Sequence, residues 1–224
     1  MRCRMAEIDF ISSIHKKTNR NYLQRVCEFP KAEAATVAKR FDFDYWDGDR
    51  KFGYGGFYYD GRWKNVAISL RDHYHLKSGD KILDVGCGKS FLIYEMMRAI
   101  PGLEIYGIDI SRYALSHAKE EITPFLCEGK AEHLPFKDHS FDFVISITTL
   151  HNLYCYNLEK ALQEIERVGK KNKYIVVESY RNEEEKVNLL YWQLTCECFF
   201  TTDEWQWWFE KTGYTGDYSF IYFE

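Results

Sequence analysis

From Ser78 onward the chain switches repeatedly between two hydrophobic rhythms. SGDKILDVGCG begins with turn residues at Ser78, Gly79 and Asp80, continues through the apolar run Ile82, Leu83 and Val85, and ends in two glycines. A short apolar run bounded by turn residues predicts a buried parallel strand. SFLIYEMMRAI then spaces its apolar residues along one helix face until Pro101 and Gly102 stop it, and LEIYGIDI returns to the strand pattern up to Asp109. Farther on, the pattern predicts a helix from the cap residue Ser111 to Glu121 and a short strand near Phe125 to Glu128. A strand at Phe141 to Ile147, a helix at Leu158 to Val168 and a strand at Lys173 to Ser179 follow. TTDEWQWWFEKTGY reads as a helix capped at Thr202, ahead of a last strand near Tyr218 to Phe223.

Strands alternating with helices predict a parallel sheet with right-handed crossovers, an α/β doubly wound domain. Upstream of it, Ile8 to His15 and Ala32 to Arg40 read as helices. They lead into KFGYGGFYYDGRW, with four glycines and six aromatic rings between Lys51 and Trp63. Glycines ease bending and aromatics adhere, so this stretch is either a turn packed on the core or a mobile cover over a site. The chain divides accordingly into a helical and lid extension, residues 1–65, and a domain over 66–224.

A length of 224 residues suits one domain with additions. No apolar run approaches the roughly 20 residues needed to span a bilayer, so no membrane association is expected. Glu7 and Asp9 interrupt the N-terminal segment, which lacks the apolar centre of a secretory signal, and a cytoplasmic location is expected. The seven cysteines (Cys3, Cys27, Cys87, Cys127, Cys155, Cys196 and Cys198) are odd in number and lack CxxC spacing. Reduced thiols and no metal site are the expectation. A net charge of −4, with lysines and arginines scattered rather than striped, speaks against a nucleic-acid partner.

In an open α/β sheet, ligands sit beyond the carboxyl ends of the strands, which directs attention to the turn Asp84, Val85, Gly86, Cys87, Gly88. Gly86 and Gly88 permit a tight turn and close backbone approach, and the following helix offers unpaired N–H groups. Asp109 ends the second strand, where a carboxylate can accept from both hydroxyls of a ribose. A dinucleotide site wants a third glycine in GxGxxG, and Phe91 stands at that place, which weakens a dehydrogenase reading.

ILDVGCG (Ile82 to Gly88), YGIDIS (Tyr106 to Ser111), AEHLPFKDHSFDFVISITTLHNL (Ala131 to Leu153) and RVGKKNKYIVVES (Arg167 to Ser179) resemble successive motifs of class I S-adenosylmethionine-dependent methyltransferases, type 11 subgroup. The resemblance implies a Rossmann-like, mostly parallel sheet of six to seven strands with helices on both faces, and S-adenosylmethionine as cofactor. It implies that Asp84, Gly86, Cys87 and Gly88 line the methionine part, that Asp109 holds the ribose and that Ile110 lies against adenine. Ala131 would offer its N–H to the adenine edge, and Ser146 and Ile147 would face the sulfonium.

There are two departures from the family pattern. Lys130 stands where an acidic residue often accepts from the adenine amino group, so Glu132 substitutes or apolar contact suffices. Only one strand's worth of chain follows Gly213, so the sheet edge is truncated, covered by the N-terminal segment, or paired in a homodimer.

Methyl transfer from a sulfonium is an in-line displacement that relies on alignment and exclusion of water. A hydroxyl acceptor also needs a base, and His151, just beyond SITTL, and Tyr59 are the candidates. In the glycine and aromatic stretch, Gly53, Gly55 and Gly56 would supply a hinge, Tyr54, Tyr58 and Tyr59 an apolar roof with polar tips, and Arg62 a charge for a carboxylate. The expected acceptor is a small molecule methylated at oxygen or nitrogen, with a sugar or surface-glycan precursor as one class. The alternatives are a protein or RNA acceptor, or a non-catalytic cofactor-binding regulator.

Overall fold

Alternate residues of each predicted strand face opposite sides of one sheet in the computed structural model, which describes residues 5–14 and 21–224. The strands are β1 (Lys81–Val85), β2 (Glu104–Asp109), β3 (Leu126–Glu128), β4 (Phe141–Ile147), β5 (Gly169–Glu178) and β6 (Asp217–Ile221). Their order is β3-β2-β1-β4-β5-β6, and every neighbouring pair is parallel. Ile82, Ile105, Phe143, Ile145, Tyr174 and Val176 point to one face, where α4 (Lys64–Tyr74) and α5 (Phe91–Ala99) bury Val66, Leu70, Ile93 and Met96. Leu83, Val85, Val144, Ile175 and Val177 point to the other, under α7 (Cys155–Val168) and α9 (Thr202–Thr212). Helix α7 repeats its apolar residues with helical period: Leu158, Ala161, Leu162, Ile165 and Val168 are all buried. Each large aliphatic side chain so buried contributes about 1.5–3 kcal/mol.

Local chemistry moves several boundaries from where the pattern put them. Thr201, not Thr202, caps α9, because the reciprocal bonds between Thr201 and the N–H and carboxylate of Glu204 need a spacing of three. The helix after Ser111, α6 (Arg112–Ser116), is shorter than expected: the Ser116 hydroxyl and the His117 ring both bond to the Tyr113 carbonyl and end it. Strand β5 begins at Gly169, where exposed Lys170 and Lys171 hide the apolar pattern. The sequence pattern does not resolve α1 (Tyr22–Glu28), α3 (Phe43–Trp46), α4 or α8 (Glu183–Trp192), while α2 (Lys31–Ala38) matches the helix expected at Ala32 to Arg40.

The helix expected from Ile8 to His15 is instead extended chain followed by a turn, as far as Ile14; His15 lies outside the described residues. Ile8 N donates to Tyr218 O at 2.8 Å, and Tyr218 N donates to Ala6 O at 3.0 Å. Asp9 Oδ1 then takes the N–H groups of Ile11 and Ser12 and bends the chain away. Of the three fates open to the last strand's edge, cover by the N-terminal segment is the one observed.

Candidate active site

Strand order reverses between β1 and β4, so the crevice beyond their carboxyl ends is where a ligand of this fold would lie. Gly86 N and Cys87 N both donate to Ile108 O, at 2.7 and 3.1 Å, folding the turn after β1 against β2. Gly86 holds φ at +78°, and a Cβ there would sit 2.1 Å from Thr149 Oγ1, so only glycine fits. Asp109 accepts from Gly88 N at 2.7 Å and from Ser111 N at 2.8 Å. Burial raises its pKa, and these N–H groups oppose the rise. Asp84 is 5% exposed and its carboxyl makes no hydrogen bond or ion pair among the described residues. Burial and the nearby Asp109 push it up to about 8.

Two cavities open here. One of about 120 Å³ is bounded by Asp109, Ile110, Gly129, Ala131 and Glu132, which brings together the residues expected around ribose and adenine. The other, of about 870 Å³, is bounded by Asp84, Gly86, Cys87 and Gly88 on one side and by His151, Glu178 and Thr195 on the other. Ile147 and Thr148 border both, and Thr148 adopts the left-handed region at φ +55°. Ser146 borders neither: its hydroxyl donates to Val85 O at 2.9 Å and is held between β4 and β1.

The N-terminal extension forms the wall between the cavities. Tyr45, Trp46 and Tyr54 border both of them. Trp46 and Tyr54 stack at 5.4 Å with 12° between planes, and Tyr45 meets both rings edge-on. The Trp46 ring rests on Gly88, and its N–H donates to Phe41 O and Ser111 Oγ. Beside it, Lys89 Nζ lies 2.7 and 2.6 Å from the two Asp47 oxygens and donates to Phe57 O at 2.9 Å. Asp47 also accepts from Tyr113 Oη and Phe57 N. Burial pushes the Asp47 carboxyl up, but the hydrogen bonds from Lys89, Phe57 and Tyr113 outweigh it and hold the pKa below its usual value. Residues 54–57 are thereby laid along residues 45–47, with Tyr54 N donating to Tyr45 O and Gly56 N to Trp46 O.

Tyr54, Gly56, Tyr58 and Arg62 border the large cavity, and Arg62 pairs with Asp60. Gly55 lies behind them at φ +67°, packed on Arg50. Tyr59 is directed elsewhere: its ring meets Phe91 and Tyr94, and its hydroxyl bonds Glu95 and Arg98, so it does not border the cavity.

His151 reaches the cavity wall but is 2% exposed. Its Nδ1 accepts from Glu178 N at 3.3 Å, which leaves the proton on Nε2, 3.5 Å from Glu178 Oε2. Burial lowers its pKa to about 3. With its lone pair taken by a backbone N–H, the ring is arranged to orient Glu178 rather than to remove a proton. Sequence reasoning passed over Tyr45, Trp46, Lys89 and Glu178. Lys89 follows GCG directly and Glu178 ends the YIVVE run, so position at a strand's carboxyl end was the available signal for both.

A family profile described as a methyltransferase domain matches residues 76–213. The chain belongs to the class I S-adenosylmethionine-dependent methyltransferases. It is 33% identical over 115 residues to a demethylmenaquinone methyltransferase of Bacillus cytotoxicus, a match covering 48% of this chain and 46% of that one. It is 31% identical over 130 residues to a tRNA (carboxymethyluridine(34)-5-O)-methyltransferase of Arabidopsis thaliana, covering 58% and 30%. The match thus spans less than half the length of either relative. Among solved structures, the YcgJ protein of Bacillus subtilis superposes with a TM-score of 0.54 at 21% identity, over 65% of this chain and 66% of that one, and shows the same fold.

The residues of this family member fit the family's cofactor. S-adenosylmethionine carries an ammonium and a sulfonium, and Asp84 presents a buried carboxyl with no described partner at the cavity wall. Glu132, 9% exposed, places at the small cavity a carboxyl of the acceptor type that Lys130 lacks. Among the described residues no group of three His, Cys, Asp or Glu is placed to hold a metal ion, and no helix is long and apolar enough to cross a membrane.

Proposed function

We propose that this protein transfers a methyl group from S-adenosylmethionine to a small-molecule acceptor bound in the 870 Å³ cavity. That cavity carries the reading: it joins the glycine turn of β1 to the ends of β4 and β5, and the aromatic extension of the same chain roofs it. Its volume suits a small ligand held against aromatic walls by a few polar groups.

When bound, the cofactor supplies an already activated methyl group, so the chain's task is to align and to exclude water. Asp84 would take the ammonium, Asp109 the ribose hydroxyls, Glu132 the adenine amino group, and Ile110 and Ala131 the adenine faces. Gly86 and Gly88 permit close approach, Cys87 shapes the turn between them, and Ile147 would border the reacting centre. Tyr54, Gly55, Gly56, Tyr58 and Arg62 act as a lid tied down through Lys89 and Asp47. The free cysteines among the described residues favour a reducing compartment such as the cytoplasm.

The test is calorimetry with S-adenosylhomocysteine, followed by tritiated methyl transfer into a metabolite extract. Binding is expected, and Asp109→Ala should weaken it by at least about 1 kcal/mol, the scale of a charged hydrogen bond. No heat with either form of the cofactor would refute the proposal. Label entering only protein or RNA would replace the small-molecule acceptor with a macromolecule.

A further inference from the structure

Six of the described residues border both cavities: Tyr45, Trp46, Tyr54, Gly86, Ile147 and Thr148. None of these side chains carries a charge. The acids assigned to the cofactor stand to either side, Asp84 on the large cavity alone and Asp109 and Glu132 on the small one alone. The cavities therefore meet at an uncharged neck, with the ends of β1 and β4 on one side and three aromatic rings of the N-terminal extension on the other.

Those rings are held in place by their own contacts. The Trp46 N–H donates to Phe41 O at 3.1 Å and to Ser111 Oγ at 3.0 Å, which fixes the indole. Tyr54 lies parallel to it at 5.4 Å, Tyr45 meets the two rings edge-on at 5.2 and 5.3 Å, and Tyr54 N donates to Tyr45 O at 2.8 Å. Tyr54 is 39% exposed against 7% for Trp46, so of the stacked pair it keeps more ring surface for a ligand. Burial holds both phenols above their usual pKa, so the wall is neutral and acts through its ring quadrupoles.

In S-adenosylmethionine a single sulfur joins the ribose to the methionine chain. A ribose at Asp109 and a methionine end at Asp84 assign that sulfur to the neck between them. We infer that the Tyr45, Trp46 and Tyr54 wall recognises the positive charge of the sulfonium, with Tyr54 as the principal contact, and so selects the methyl donor over its demethylated product. This rests on the methyltransferase reading above and deepens it. A cation over an aromatic face is favoured where water is excluded. When the methyl leaves, the bonding electrons stay on sulfur, which becomes a neutral thioether, and the attraction ends. The charge is already fading in the transition state, so the wall acts in cofactor choice and product exchange rather than in lowering the barrier.

The experiment is titration calorimetry of the full chain with three ligands: S-adenosylmethionine, S-adenosylhomocysteine, and sinefungin, in which a carbon bearing an ammonium replaces the sulfonium. The two cations should bind about 3- to 30-fold more tightly than the neutral thioether, the range of a cation–π contact. Tyr54→Leu should bring the three Kd values within about twofold of one another by weakening the cations, with the Kd for S-adenosylhomocysteine within about threefold of the parent's. Tyr54→Phe, which keeps the ring, should retain the preference. If Tyr54→Leu does not fold, Tyr45→Leu takes its place under the same expectation. Equal Kd values for the three ligands in the parent would overturn the inference without any variant. A leucine variant that weakens cations and thioether in parallel would also overturn it, because a merely structural ring does that. Loss of the preference in Tyr54→Phe as complete as in Tyr54→Leu would overturn it too, by moving recognition from the ring to the hydroxyl. No heat with any of the three ligands would overturn the methyltransferase reading itself.

Discussion

Truncating Asp47 should open the extension over the cofactor turn, and the contacts set the magnitude. The Lys89 side chain is 3% exposed and that of Asp47 10%, so both charges are largely desolvated. Asp47→Ala removes both carboxylate contacts to Lys89 and leaves a buried ammonium donating to Phe57 O. Breaking a buried pair from one side costs about 3–5 kcal/mol. Lys89→Met costs less, about 2–3 kcal/mol, because Asp47 keeps the Tyr113 hydroxyl and the Phe57 N–H. The double variant Asp47→Ala, Lys89→Met removes both charges and should fall well short of the sum, with a coupling of about 1–3 kcal/mol. In a domain of this size the single Asp47 variant should melt about 6–20 °C lower. If the extension opens alone, hydrogen exchange over residues 41–59 should accelerate before the melting point moves. The four proteins of the cycle would be compared by thermal denaturation and by exchange mass spectrometry. Additive losses, or an Asp47 variant within about 0.5 kcal/mol of the parent by both measures, would refute the latch.

Three further outcomes follow from the same geometry. Asp84, raised to about 8 when folded against an unfolded value near 4, binds its proton more tightly in the folded state. Its contribution is therefore intact below about pH 4 and lost as pH rises toward 8, so Asp84→Asn should be the more stable apoprotein at pH 8 by a few kcal/mol and no different at pH 4. Cofactor binding needs the ionised carboxylate and should tighten from pH 6 to 8 in the parent only, as titration calorimetry would show. Gly86→Ala, at φ +78° and with its Cβ 2.1 Å from Thr149 Oγ1, should abolish binding of S-adenosylhomocysteine, whereas Gly213→Ala, at φ +72° with nothing within 4 Å, should cost only about 1 kcal/mol of stability. His151→Ala should lower turnover while sparing cofactor affinity; because burial lowers this histidine to about 3, the parent's pH–rate profile should lack a His151-dependent step near 6.5. Such a step, lost in His151→Gln, would restore the histidine as a base.

Strong periodicity made most of the domain legible from the chain. Phe141–Ile147 ends where its apolar residues end, because a strand covered on both faces carries a nearly continuous apolar run, broken here at Asp142 and Ser146. Elements with weak contrast escaped: α8 begins with three glutamates and buries only Glu185 and Leu189, so its helical period is faint. The N-terminal segment was misread as a helix because pairing with β6 supplied hydrogen bonds that local sequence could not foresee.

The site divides along a similar line. Gly86, Gly88 and Asp109 belong to one strand, turn and strand unit, and their roles follow from spacing within it. Lys89 with Asp47, Trp46 with Gly88 and Ser111, and Glu178 with His151 are contacts between residues 27 or more positions apart, which only packing of separate elements creates. Chain-local signals thus determined the fold class and the cofactor turn. The tertiary structure alone decided which aromatics close over that turn and that His151 has its lone pair occupied, because each depends on burial and partners contributed by distant segments.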